Sequence, residues 1–132
     1  MLSAPDCGWT GFQLEGTACY DLSHLTDIPT DWMTRAIRGL MIMEPFAVEG
    51  YLEPGILRCT VYADKTCLRL EDGKEEVSPI GMLRFCEMLR DDVERDLPQW
   101  AAFRPCDDPV SREAELRKLL RKLDQLICAN RG

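Results

Sequence analysis

The sequence predicts an α+β fold, a mostly antiparallel sheet of about five strands with three helices packed largely on one face, in the order ββ-α-βββ-α-α. Three observations carry that expectation. Residues 46–70, FAVEGYLEPGILRCTVYADKTCLRL, alternate between apolar and polar positions and are broken by two turn signals. Met33, Ala36, Ile37 and Leu40 recur at the spacing of an amphipathic helix, as do Met82, Phe85, Cys86, Leu89 and Val93, and then Leu116, Leu119, Leu120, Leu123, Leu126 and Ile127. A sheet with one apolar face needs a cover, and these helices are the material at hand.

Trp9 to Leu22 reads as an opening hairpin, with Phe12 and Leu14 before Glu15-Gly16 and Ala18, Tyr20 and Leu22 at alternate positions after it. Thr30 is positioned to cap the first helix, with Asp31 in its favourable first turn. That helix turns Asp31, Thr34, Arg35 and Arg38 outward and is bounded by Pro45. In the central stretch Phe46, Val48 and Leu52 share one parity, while Gly50 interrupts the buried row and leaves room for a bulge or a close approach. Pro54-Gly55 has the residues of a type II turn, and Asp64-Lys65 marks a second reversal. Between them Leu57, Cys59, Val61 and Ala63 oppose Arg58, Thr60 and Tyr62; Thr66, Leu68 and Leu70 follow before the turn signal Glu71-Asp72-Gly73-Lys74.

Ser78-Pro79 reads as a helix start, a capping hydroxyl followed by proline at the first helical position. On this second helix Arg84, Glu87, Asp91, Asp92 and Glu94 look out, and Leu97-Pro98 closes it. Gln99 to Cys106 is an aromatic connector whose Trp100 and Phe103 plug a gap, given the area two such rings bury. Asp107-Asp108-Pro109 opens a C-terminal amphipathic helix over 107–130, with acids at the positive end of the helix dipole. Its leucine stripe must pack on the sheet, on the preceding helix or on a second copy, so a homo-oligomer through this helix is one expectation.

A chain of 132 residues fits one domain, residues 1–132, with enough length to bury a core unaided. No basic start with an apolar run opens the sequence, and no stretch approaches the roughly 18 apolar residues of a membrane span. The expected address is the cytoplasm, with no membrane partner. Seven cysteines stand at 7, 19, 59, 67, 86, 106 and 128, none in the short pair spacing of a zinc ribbon or a thioredoxin-type site. Most are expected to be reduced and structural, with Cys59 and Cys86 acting as small core hydrophobes.

The net charge of −7 is uneven: residues 1–53 hold eight acids against two bases, 54–109 twelve against eight, and 110–132 three against six. An acidic body with a basic last helix argues against nucleic acid, which wants a dominant positive surface. Arg117, Lys118, Arg121 and Lys122 have an ordinary use in helical ion pairs with Glu113 and Glu115.

Chemistry has little to work with. His24 is the only histidine, and no nucleophile elbow accompanies it. The carboxylate pairs Glu49/Glu53, Glu71/Asp72, Glu75/Glu76, Asp91/Asp92 and Asp107/Asp108 fall in turns or on outward helix faces, and neither HExxH nor an EF-hand loop is present. Gly8-Trp9-Thr10-Gly11 lacks the spacing and the lysine of a phosphate loop. No metal or cofactor is expected.

The leading expectation is a non-catalytic protein-interaction domain. Its best binding surface, if no helix covers that face, is the outward parity of the meander, Tyr51, Arg58, Tyr62 and Arg69, a mix of aromatic residues and arginine typical of interface patches. The fold rules equally allow a helix to cover it. A narrower alternative is an immunity or inhibitor-type protein that neutralises a basic partner, such as a toxin, through Asp91, Asp92, Glu94 and Asp96. A small thiol or carboxylate hydrolase is the enzymatic alternative. The cysteine reading has a direct check: unreduced, denatured protein is expected to take up seven equivalents of alkylating agent by mass, and any deficit in pairs overturns it.

Overall fold

Six antiparallel strands follow one another across a single sheet in sequence order, β1 (Trp9–Phe12), β2 (Tyr20–Ser23), β3 (Phe46–Tyr51), β4 (Ile56–Val61), β5 (Thr66–Leu70) and β6 (Glu75–Ser78). Four helices complete the chain: α1 (Ile28–Ile42) between β2 and β3, then α2 (Met82–Arg95), α3 (Leu97–Ala101) and α4 (Pro109–Asn130) after the sheet. This is a computed structural model, and it describes residues 1–131. The α+β class holds, with one strand and one helix more than expected.

The central meander falls where the alternation put it. Phe46, Val48, Leu57, Cys59, Val61 and Leu68 enter one core with Met33, Ala36, Leu40, Phe85, Cys86, Leu89, Leu116, Leu123 and Ile127, so the helical stripes and the inner sheet face meet as the spacing required. Gly50 marks a close approach: a Cβ there would stand 2.6 Å from Leu22 Cδ1, so the leucine of β2 fills the gap in the β3 row. The Asp64-Lys65 reversal is present, closed by Tyr62 N–H donating to the Lys65 carbonyl at 2.8 Å. The other reversal differs from a type II turn on Pro54-Gly55. The Glu53–Pro54 peptide is cis, Glu53 has φ 50°, and Leu52 N–H donates to the Gly55 carbonyl at 2.8 Å, which centres the turn one residue earlier.

The unexpected sixth strand explains why Ser78-Pro79 is not a helix start. Gly73, at φ 93°, turns the chain back, and Arg69 to Thr66 pair with Glu75 to Ser78. The inner parity of β6 carries Glu76, an acid where the alternation calls for an apolar residue, and its carboxylate accepts from Tyr20 Oη and from Ala18 N–H. Strands lie about 4.8 Å apart, so β2 and β6 would be roughly 19 Å apart in a flat sheet. Their meeting through inward-facing side chains requires the sheet to curl around its packed face into a half-barrel. Burial and the Glu76 carboxylate push the Tyr20 hydroxyl up to about 12, and the phenol in turn holds Glu76 below the usual range.

Helix starts move accordingly. The first turn of α2 begins at Met82, beyond Gly81, whose absent Cβ would meet the Ala63 carbonyl at 2.4 Å. Thr66 Oγ1 donates to the Ile80 carbonyl at 2.7 Å and fixes the same segment to the meander. Likewise α1 begins at Ile28 rather than after Thr30, with Pro29 in its first turn. The opening of α4 follows the expected pattern: Asp108 accepts from Ser111 N–H, and Pro109 is the first helical residue. Trp100 and Phe103 are buried as foreseen, although Leu97–Ala101 winds into a short helix to seat them.

The leucine stripe of α4 is spent inside the protomer. Leu116, Leu120, Leu123 and Ile127 are buried, and the helix packs on α1, α2 and α3. Arg112 ties its first turn to the start of α1 through Asp27 at 2.6 Å, with Asp107 at 3.4 Å. A homo-oligomer through this helix would have to use its polar outer side.

One gap in the sheet organises the rest. Strands β2 and β3 are joined at a single pair, Ser23 with Tyr51, so among the described residues Phe46 to Gly50 have no strand on that side. Helix α1 lies along this edge of β3, and Trp32, 1% exposed, donates its indole N–H to the Glu49 carbonyl at 2.9 Å. Its ring also meets Phe12 edge-on at 5.3 Å and stacks against Phe85 at 6.2 Å. Trp100 is as deeply buried, but its N–H has no acceptor among the described residues. Trp32→Phe is therefore expected to cost about 1–2 kcal/mol more than Trp100→Phe in urea unfolding, because only the first strands a backbone carbonyl. Equal losses would remove the indole from its assigned role.

Candidate functional site

Among the described residues no helix covers the outer face of the half-barrel, and strand register arranges its side chains in rows. Trp9, Ser23, Tyr51 and Ile56 form one row across β1 to β4; Glu49, Arg58, Arg69 and Glu75 form the next across β3 to β6; Ala47, Thr60, Cys67 and Val77 form the third. Tyr62 follows directly on β4. The four meander residues singled out in the sequence, Tyr51, Arg58, Tyr62 and Arg69, thus share one uncovered surface. Trp9, without a role in the sequence reading, joins them: its 38% exposure matches the 37% of Tyr51 and of Tyr62.

The middle row breaks a local rule. Arg58 and Arg69 stand directly opposite each other, an unfavourable arrangement of like charges on neighbouring strands. Arg69 is relieved by Glu75 at 3.8 Å, whereas Arg58 has no carboxylate within 4.0 Å among the described residues although Glu49 is its partner in register. Lys65 sits over the Tyr62 ring at 5.7 Å and adds to the positive end of the face.

Arg58 also belongs to a groove that the sequence reading missed. Where α1 lies beside β3, its outer residues Arg35, Arg38 and Ile42 line a depression of about 440 Å³ with Glu44, Pro45, Ala47, Arg58 and Thr60. The spacing of Arg35, Arg38 and Ile42 at i, i+3 and i+7 showed that they share a helix face; nothing local linked that face to a residue of β4. The groove runs into an apolar knob, since Met41, Ile42 and Met43 are 59, 57 and 62% exposed at the end of α1. Compared with known proteins, the chain matches no family model, no curated protein and no solved structure.

The acids of α2, with Asp96 at its C-cap, do not form the free surface expected of them. Asp92 is buried: it accepts from Leu2 N–H at 2.8 Å and from Arg95 at 3.1 Å. The helical spacing held the signal, because 92 lies seven residues after Phe85 and three after Leu89, on the apolar stripe itself. Asp91 is engaged by Arg90 at 2.9 Å, and Asp96, half-buried, by Arg95 at 2.7 Å. Of the four, Glu94 alone is exposed and without an ion pair among the described residues.

The nucleophile candidates also scatter. All seven cysteines are free thiols. Burial pushes Cys86 up to about 12 and raises Cys59 further, while the neighbouring Asp6 carboxylate raises Cys7, and each shift disfavours the thiolate that a nucleophile needs. The Nδ1 atom of His24 is buried without a hydrogen-bond partner among the described residues. Among the described residues no group of three or more His, Cys, Asp or Glu is placed to hold a metal ion, and no helix is long and apolar enough to cross a membrane.

The buried position of Asp92 can be read in stability. Asp92→Ala is expected to cost about 1–3 kcal/mol by chemical denaturation, since it orphans the Leu2 amide and an arginine contact. Asp91→Ala, which breaks an exposed pair, is expected to cost under about 1 kcal/mol. A loss for Asp92 no larger than that for Asp91 would place its carboxylate in solvent.

Proposed function

We propose that the protein is a non-catalytic interaction domain that docks a partner protein on the outer face of its sheet. The observation that carries this reading is the uncovered face itself: a layered α+β fold that roofs only one side of its sheet leaves Trp9, Tyr51, Tyr62, Arg58 and Arg69 exposed together. Exposed aromatic residues beside arginine are the composition that concentrates binding energy at protein interfaces. A like-charged pair held in cross-strand register costs stability and finds its use when a partner supplies the missing carboxylate. Helix α4 offers no comparable surface, because its apolar stripe is already packed against α1, α2 and α3.

The test is a comparative capture from the native host. Wild-type protein and a Lys118→Glu/Lys122→Glu control, altered on the exposed side of α4, are expected to retain the same partner. Tyr51→Ala/Tyr62→Ala is expected to weaken its retention by about tenfold or more, equivalent to about 1.4 kcal/mol. A partner held equally by all three proteins rules out this face.

A further inference from the structure

The arginine groove narrows the chemistry of the partner. Five arginines, Arg35, Arg38, Arg58, Arg84 and Arg121, have no carboxylate within 4.0 Å among the described residues, and three of the five line this one groove. The concentration is notable in a chain that carries 23 acids against 16 bases. Acids are plentiful enough to pair every arginine, yet among the described residues Glu44 is the sole carboxylate lining the groove. Leaving planar, bidentate cations unpaired beside one another prepares a site for carboxylates or phosphates delivered from outside.

Apolar surface decides between those two. The groove is continuous with Ile42 and Pro45, and Met41 and Met43 extend the knob beside it. A phosphate backbone has nothing to place there, and the negative field of the whole chain opposes a polyanion while tolerating a short acidic segment. Methionine adapts to differently shaped apolar side chains, as a peptide-binding surface requires. We infer that the groove between α1 and β3–β4 seats an acidic peptide segment of the partner protein, with its carboxylates on Arg35, Arg38 and Arg58 and an apolar side chain against Ile42 and Pro45. This rests on the outer face being the interaction surface and extends that surface around the edge of the sheet.

Selection of short random peptides on the immobilised full chain tests the assignment. Enriched sequences are expected to carry two or more carboxylates around an apolar residue. They are expected to bind more weakly as salt rises, to lose about tenfold or more in affinity with Arg38→Glu/Arg58→Glu, and to be unaffected by Arg84→Glu. Circular dichroism melts of each variant establish that the fold persists. Absence of enrichment, or acidic peptides that bind the double variant equally well, overturns the inference. Neutral or basic peptides that lose binding with Tyr51→Ala/Tyr62→Ala overturn it too, but leave the outer face standing as the docking surface. Tighter binding of a single-stranded oligonucleotide, or a salt-sensitive dimer in light scattering abolished by Arg38→Glu/Arg58→Glu, replaces the peptide with nucleic acid or a second copy.

Discussion

The contact between the Trp32 indole and the Glu49 carbonyl is the constraint from which the rest of the molecule follows. An antiparallel sheet that loses pairing partway along a strand exposes backbone groups that must find other partners. Here β2 departs from β3 after one pair, and α1 takes the vacated edge with Trp32 as its anchor. The same ring fixes Phe12 on one side and Phe85 on the other, so one side chain connects β1, β3, α1 and α2. Because a helix replaces a strand at this edge, its outer side becomes continuous with the outer face of the sheet, and Arg35 and Arg38 arrive beside Arg58.

Curvature decides which face is left open. Glu76 reaches Tyr20 and the Ala18 amide from the far side of the sheet and draws the strands around the helices. All the apolar stripes are consumed on the concave side, including that of α4, which is knitted to α1 through Arg112 and Asp27. The convex side keeps the polar and aromatic residues of the meander in rows fixed by register. A rigid sheet with locked register is a good platform for recognition, since little order has to be gained on binding.

Charge is distributed by use rather than by sum. Acids of α2 that suggest a surface for a basic partner are turned to internal tasks, Asp92 holding the N-terminal segment and Asp91 and Asp96 engaging neighbouring arginines. Arg35 and Arg38 on α1 and Arg58 on β4 have no carboxylate within 4.0 Å among the described residues, in a chain that is acidic overall. Net charge describes the long-range field, while the partner meets individual side chains.

Local pattern alone determined a great deal here. The parity of Phe46 to Leu70, the stripes of α1, α2 and α4, and the Asp108-Pro109 helix start are all readable because a strand or helix imposes its period on residues a few positions apart. That Tyr51, Arg58, Tyr62 and Arg69 share one face was legible for the same reason, since register keeps one parity on one face; whether a helix covers that face was not. Tertiary structure alone decided the sixth strand, the inward turn of Asp92 and the arginine groove. Each depends on a partner distant in the chain: Tyr20 for Glu76, Leu2 for Asp92, and Arg58 for Arg35 and Arg38. A buried carboxylate looks like a surface one until the group that satisfies it is in place, and no periodicity within a single element names that group.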